Sequence, residues 1–480
     1  MFRHPARFYR QSVIKCLVTV SAPLVWFANP AHAGGFALIE HGASGLGHAY
    51  AGSAAVSNDT STVWFNPAGM SEIDGREIAV GVHILDSDNK WTDRGTTLGY
   101  ALGGAEVSGP ETANPGVIST LPNFYYVAPI DEKWRYGLSI GVPFGSSTEY
   151  DADWKGRYTA VEGGINVIDI NPAFSYEVSE KISLGFGLSI QQLTAELGSS
   201  VDSGAVCLSF GSREDTSFSS ADCVNADLTP GNLATDSTAE ISGDSTAISF
   251  NFGALFQPRE GIKLGVAYRH SVEHELDGDA DFGVNAELRA LLDGNTSDTT
   301  QAITQGFLRD GKGDAEVSLP ATLSFSGAWQ VNDKIQLMSD LTWTGWSTFE
   351  ELRVTYETPV QPDSVTVFAW DDAIRFSAGL SYLVSPRMTL RGGYAFDESP
   401  IPGPQRRTTR IPGNDRTWIT AGLGYQVNSN FSFDVGYALI MLDDTPIDNL
   451  YEEQNGAGTE VRGIYEPSVN ILSAQINWDF

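Results

Sequence analysis

The chain has 480 residues, with 60 acidic side chains against 29 basic ones and a formal charge of −31. No apolar run approaches the ~18 residues that a membrane-spanning helix needs, which excludes a helical membrane protein. A charge this negative offers phosphate no concentrated cationic surface, so nucleic acid is excluded as a partner.

The first 33 residues read as an address. Arg3, Arg7, Arg10 and Lys15 form a basic opening, an apolar stretch runs from Cys16 to Ala28, and Ala31-His32-Ala33 offers small residues at a cleavage spacing. These features predict a signal peptide over 1–33 and a mature chain from Gly34. Its removal deletes four bases and no acid, leaving 25 bases against 60 acids. Lys15 stands directly before Cys16, where a lipoprotein signal wants a small residue. Residues 34–75 are rich in glycine and small side chains, lack sustained strand alternation, and close with Trp64-Phe65-Asn66-Pro67-Ala68-Gly69.

From Arg76 to Phe480 the pattern changes to period two, the repeat of a strand with one apolar and one polar face. Ile182, Leu184, Phe186, Leu188 and Ile190 show it, as do Phe431, Phe433, Val435, Tyr437 and Leu439. About fourteen such segments begin near residues 77, 119, 134, 166, 181, 244, 260, 316, 333, 369, 387, 414, 430 and 464. Tight turns, as at Ser179-Glu180, Asn332-Asp333 and Asn428-Ser429, alternate with long polar loops, the largest near 198–243 and 277–315. A soluble sandwich has no need of that second alternation. An outer-membrane barrel does, because short turns face the periplasm and long loops face outward. The predicted fold is therefore all-β, a transmembrane antiparallel barrel of about 14 strands, with Trp478 and Phe480 placing aromatic rings at the membrane interface. Export permits disulfides, and Cys207 and Cys223, in one polar stretch without a nearby histidine, suit a loop-stapling bond better than zinc.

Eight strands fill their own lumen with side chains, whereas about fourteen leave a space that is either wet or plugged. A free tail would leave Leu38, Ile39, Trp64 and Phe65 in water, so 34–75 is expected to be a hatch inside the lumen.

Several runs carry a family resemblance. Gly34-Gly35-Phe36, Gly45 to Gly52, Asn66-Pro67-Ala68, Pro122-Asn123-Phe124, Trp343 to Ser347 and Phe396 to Pro400 together resemble the outer-membrane long-chain fatty-acid transporter family, the FadL/TodX type. That resemblance implies an N-terminal hatch, an outer groove on the two largest loops, an inner pocket, and lateral exit near a deformed third strand. It implies carboxylate contacts for Arg353 and Arg416 and places Phe36 against the inner pocket. Gln191, Gln192 and Thr194 stand where the family's fifth strand can carry another base.

Other positions fit this scheme on their own terms. Val284, Leu288, Leu291, Leu292, Ile303, Phe307 and Leu308 suit short amphipathic helices, forming either a landing groove, with Leu288, Leu292 and Phe307 as contacts, or the loop's own core. Gly141, Pro143 and Gly145 interrupt the third strand, where proline cannot donate to the ladder, so a bulge or lateral gate is expected. Arg375 and Arg391 face inward by alternation, with Asp340 and Asp434 as candidate ion-pair partners.

The chemistry expected is capture. An alkyl tail gains about 0.8 kcal/mol per buried methylene, and an arginine fork meets a carboxylate bidentately. The partners expected are long-chain fatty acids or other hydrophobic small molecules and outer-membrane lipids, handled by a monomer. Neither cofactor, metal nor catalytic residue is called for. Gly306 to Gly313 approximates a phosphate loop but lacks the magnesium-holding hydroxyl. Asp277, Asp279 and Asp281 approximate a calcium loop but lack its glycine and final glutamate. Alternative readings are an uptake channel for neutral or aromatic hydrocarbons, a barrel adhesin, and an outer-membrane lipase.

Overall fold

In the computed structural model, residues 34–450 and 458–480 are described; the signal segment 1–33 lies outside them. Strand alternation with short hairpins closes the chain into an antiparallel barrel of fourteen strands, as the period-two pattern predicts. In chain order they are β1 (Glu77–Asp93), β2 (Ile118–Pro129), β3 (Trp134–Glu149), β4 (Glu162–Ser179), β5 (Ile182–Val201) and β6 (Ser237–Arg259). β7 runs in two pieces, Ile262–Arg269 and Val272–Gly283, as does β8, Gly311–Leu319 and Thr322–Asn332. β9 comprises Ile335–Thr344 and Glu351–Tyr356, and β10 comprises Ser364–Val367 and Ala373–Ser385. β11 (Met388–Asp397), β12 (Arg416–Asn428), β13 (Phe431–Leu442) and β14 (Thr459–Asp479) complete the circle. β14 closes it against β1 along the whole of β1, from Glu77↔Asp479 to Asp93↔Gly463.

Two strands start well before the alternation does, at Ser237 and Gly311. There the strands stand above the membrane, neither face meets lipid, and the apolar half of the period is lost. The corresponding loops are shorter than the sequence suggests, 202–236 and 284–310.

The outward residues are apolar and exposed, among them Val80, Phe186, Ile248, Phe376, Ile419 and Leu472. Near the short turns, rings pair across neighbouring strands, with centroids 4.7 Å apart for Trp134 and Tyr176 and 5.6 Å for Tyr126 and Tyr136. This is the apolar band and aromatic girdle of an outer-membrane barrel.

Residues 34–75 fold inside that wall. The short helices Ala43–Leu46 and Thr62–Phe65 and the 3₁₀ turn Pro67–Glu72 bury Leu46, Val63, Ala68 and Met70. Asn66 opens the 3₁₀ turn by accepting from the Ala68 amide at 3.0 Å. Its Nδ2 donates to Ala54 O at 2.6 Å and, across to the wall, to Ala254 O at 3.1 Å. Tight docking of the hatch backbone uses inward-facing glycines. A Cβ on Gly253 would lie 1.8 Å from Asn66 Oδ1, and one on Gly265 would lie 1.8 Å from Ala54 O.

Outside the barrel, the loops 202–236 and 284–310 carry short helices, including Ser203–Gly211, Ser220–Asn225, Ala286–Asp293 and Gln301–Gly306. A disulfide joins Cys207 to Cys223, and both lie in one core with Phe210, Phe218, Leu228, Leu288, Leu292 and Leu308.

Candidate functional site

The hatch divides the lumen into two chambers. The dividing element is its first six residues. Phe36 is fully buried, with its ring centroid 4.9 Å from Trp346, 5.3 Å from Phe349, 5.9 Å from Trp370 and 6.0 Å from Phe144. On one side of this cluster lies an apolar chamber of about 80 Å³, floored by Phe36 and lined by Leu276, Val317, Leu352, Val354, Phe368 and Ile411. On the other lies a larger cavity of about 140 Å³, bounded by Ala37, Leu38, Ile39 and Phe65 from the hatch and by polar strand residues opposite. We term these the upper and lower chambers.

The same six residues repair a defect in the wall. The ladder between β3 and β2 runs from Arg135 to Ile140 and stops there, one residue before Gly141. Against β4 its register shifts between Gly141 and Phe144, leaving Val142 and Pro143 as a bulge. The hatch fills the gap. Leu38 N donates to Pro143 O at 2.8 Å, and Gly145 N donates to Phe36 O at 2.8 Å, flanking a bridge between Ala37 and Phe144. Gly141 leaves room for His41, whose ring atoms would lie 2.9 Å from a Cβ there. That imidazole stacks on Trp64 at 4.2 Å. Gly141, Pro143 and Gly145 thus lie along one interruption of the ladder, and Asn66, Pro67 and Ala68 dock deeper in the lumen.

The arginines are distributed otherwise than the sequence suggests. Arg353 faces outward, half exposed, and is held by Glu351 at 2.9 Å and Asp363 at 3.1 Å, so it does not reach the upper chamber. Strand alternation is the reason: its neighbours Leu352 and Val354 point inward. Arg416 is buried but lines neither chamber. It stands 3.8 Å from Asp397 and borders a separate void of about 10 Å³. Arg391 pairs with Asp434 at 2.6 Å, as expected, whereas among the described residues Arg375 has no carboxylate at ion-pair distance. The basic residue that does line the upper chamber is Arg410, donating to Glu162 O at 3.4 Å and Gly198 O at 3.2 Å. It lies in the loop 398–415, which folds into the barrel mouth, and no periodicity marks it.

Leu288 and Leu292 are fully exposed to neither solvent nor lumen; both sit inside the loop core, so they form no landing surface in this structure. Phe307 packs at that core's edge, 5.3 Å from Phe210. Apolar residues at helical spacing serve a local core as readily as a groove, and the disulfide-stapled partner helices decide for the core. Asp277, Asp279 and Asp281 lie on the outward face of β7, in a strand and not in a loop.

The described residues contain one carboxylate cluster of metal-binding dimensions, Asp93, Glu106 and Glu111, with ligand atoms within 4.8 Å of one another. The Lys155 ammonium occupies its centre, 3.0 Å from Asp93 and 2.7 Å from each glutamate. Burial alone would lower the Lys155 pKa; the three carboxylates outweigh it and hold the ammonium above its usual range. This clasp ties the extracellular loops 94–117 and 150–161. Lys155→Met would leave three like charges together, and amide hydrogen exchange across 94–117 is expected to speed up while the strands stay protected. Unchanged exchange would show that the clasp does not order the loop.

The family model described as outer membrane protein transport protein (OMPP1/FadL/TodX) matches residues 24–480. A long-chain fatty acid transport protein of Escherichia coli O6:H1 is 29% identical over 430 residues, covering 88% of this chain and 91% of the relative. Outer membrane protein P1 of Haemophilus influenzae is 28% identical over 430 residues, covering 86% and 87%. A crystal structure of a Pseudomonas aeruginosa FadL homologue superimposes with a TM-score of 0.80 at 24% identity, covering 93% of this chain and 100% of that one. That of the P. putida toluene transporter TodX gives 0.58 at 17% identity, covering 88% and 94%. The chain belongs to the outer membrane protein transport family, OMPP1/FadL/TodX, whose members are outer-membrane channels for hydrophobic molecules.

Proposed function

We propose that this protein carries long-chain fatty acids passively through the outer membrane. The cargo is captured at the extracellular loops, passes into the upper chamber, displaces the first residues of the hatch and leaves sideways between β2 and β3 into the bilayer. One observation carries this reading. Phe36 floors the upper chamber while residues 36–38 complete the β3 ladder, so a single displacement opens both the floor and the wall. The gain from burying methylenes supplies the energy for that displacement, about 0.8 kcal/mol each. No nucleotide or gradient is required.

Arg410 is the residue we assign to the carboxylate, because it is the basic side chain on the otherwise largely apolar wall of that chamber. A charge-assisted hydrogen bond contributes about 1.5–3 kcal/mol. Arg410→Gln is therefore expected to weaken fatty-acid binding by about tenfold or more and to leave the matching alcohol unchanged, measured by titration of the purified barrel.

A second reading, uptake of neutral or aromatic hydrocarbons, is favoured by the near-absence of polar groups in that chamber. It predicts that acid and alcohol bind alike and that Arg410→Gln affects neither.

A further inference from the structure

The lower chamber has a chemistry that the capture step does not use. One side is apolar, made by Phe144, Pro143 and Trp346 with Leu38 and Ile39 of the hatch. The other carries Arg375 and Arg269 among the hydroxyls of Ser324 and Thr342. Arg375 is 6% exposed, with its guanidinium 5.3 Å over the Trp418 ring; Nη2 donates to Ala49 O at 2.9 Å, and Nε and Nη1 have no hydrogen-bond partner. Arg269 lies with its guanidinium 3.5 Å over the Trp64 ring and donates to Trp64 O at 3.1 Å. Its Nη1 is also without a hydrogen-bond acceptor, with Asp169 at 4.0 Å. Buried guanidinium donors are costly to leave unsatisfied, so two arginines with unpaired donors in the lining of one cavity mark a place for acceptors. Asp397 lines the same cavity, yet makes no ion pair with either arginine.

We infer that the lower chamber is a second binding station, in which the carboxylate of an amphiphile docks on Arg375 and Arg269 while its tail points toward Pro143 and Phe144 at the gap between β2 and β3. This rests on the proposed passage of a carboxylate amphiphile past Phe36. It adds a direction: the head is held on the far wall while the tail enters the bilayer first. The cost of moving an ion into hydrocarbon is thereby postponed until most methylenes have already been transferred.

The probe that tests this is palmitic acid bearing a diazirine beside its carboxylate, photolysed on the full barrel in detergent, with labelled peptides mapped by mass spectrometry. Label is expected on two sets of peptides, the upper set around Leu352–Val354 and Arg410, and the lower set around Ser324 and Thr342. Arg375→Met should reduce the lower label by about tenfold and spare the upper one, and Arg375→Lys should restore it. The matching diazirine alcohol should label the upper set alone. Heat-modifiable migration on gels confirms that each variant retains a folded barrel. Upper label without lower label in the unaltered protein would overturn the second station and leave the capture reading intact. Persistence of the lower label in Arg375→Met, or equal labelling by the alcohol, would overturn the anionic assignment. Absence of label from both sets would overturn the capture reading as well.

Discussion

A Phe36→Ala barrel is expected to leak. The ring is fully buried among four aromatic neighbours at 4.9–6.0 Å. Truncating a buried phenylalanine costs about 3–5 kcal/mol. Nearly all of that falls on the seated form of residues 34–39, because those residues contribute nothing to the barrel ladder except the bonds to Pro143 and Gly145. At about 1.4 kcal/mol per decade, the equilibrium between seated and displaced forms shifts toward the displaced form by roughly two to three and a half decades. Uptake of a fluorescent fatty acid into proteoliposomes should therefore proceed without the lag or threshold that displacement imposes. Phe36→Leu, which keeps most of the apolar volume, should lie close to the original protein. An Ala variant that transports no faster, with its barrel intact, would show that residues 34–39 are a fixed wall and not a gate.

The second large effect lies at the seat of the Asn66-Pro67-Ala68 turn. Gly185 of β5 and Gly253 of β6 face each other directly across the ladder. A Cβ on Gly185 would lie 2.2 Å from Ala68 N, and one on Gly253 would lie 1.8 Å from Asn66 Oδ1. Neither neighbour can give way, since Asn66 is committed to Ala54, Ala68 and Ala254. Gly253→Val combines overpacking of about 1–3 kcal/mol with the loss of up to three buried hydrogen bonds, each worth about 1 kcal/mol. The expected result is a hatch expelled from its seat within a barrel that still forms, because the outer face and the ladder are untouched. Single-channel conductance should rise from closed to a sustained open level, and cells should become sensitive to bulky antibiotics. Gly327→Ala, whose Cβ would meet only ordinary contacts at 3.8 Å, serves as the neutral control. A closed channel in Gly253→Val would mean that the hatch is held elsewhere.

These two effects differ in how far the sequence announces them. Phe36 stands in a run resembling a known hatch, and its apolar ring beside glycines in a plug demands burial. Gly185 and Gly253 are unremarkable glycines in strands until the hatch is docked on them. The arginines show the same division. Alternation assigns Arg391 inward, where it meets Asp434, and the inward phase of Asp340 and Thr342 continues past the break at Leu352 and Val354, so Arg353 faces outward; the resemblance, and not the alternation, places it on the carboxylate. Arg410 belongs to a loop with no period to read. Its position follows from the loop's tertiary anchors, such as the bond from Tyr150 Oη to Thr409 O at 2.7 Å.

By itself the sequence determined the barrel, the plug, the disulfide partners Cys207 and Cys223 and the point where β3 breaks. Each is written in short-range terms: period-two alternation, turn residues at alternate connections, cysteine spacing, a proline in a ladder. Only the tertiary structure decided which arginines line which chamber, that Leu288 and Leu292 serve a loop core, and that the hatch's first residues serve as floor and ladder at once. Those facts depend on contacts between segments far apart in the chain, from about eighty residues in the loop core to more than three hundred between Phe36 and Trp346. Local periodicity states which face a side chain takes and carries no information about what closes over it.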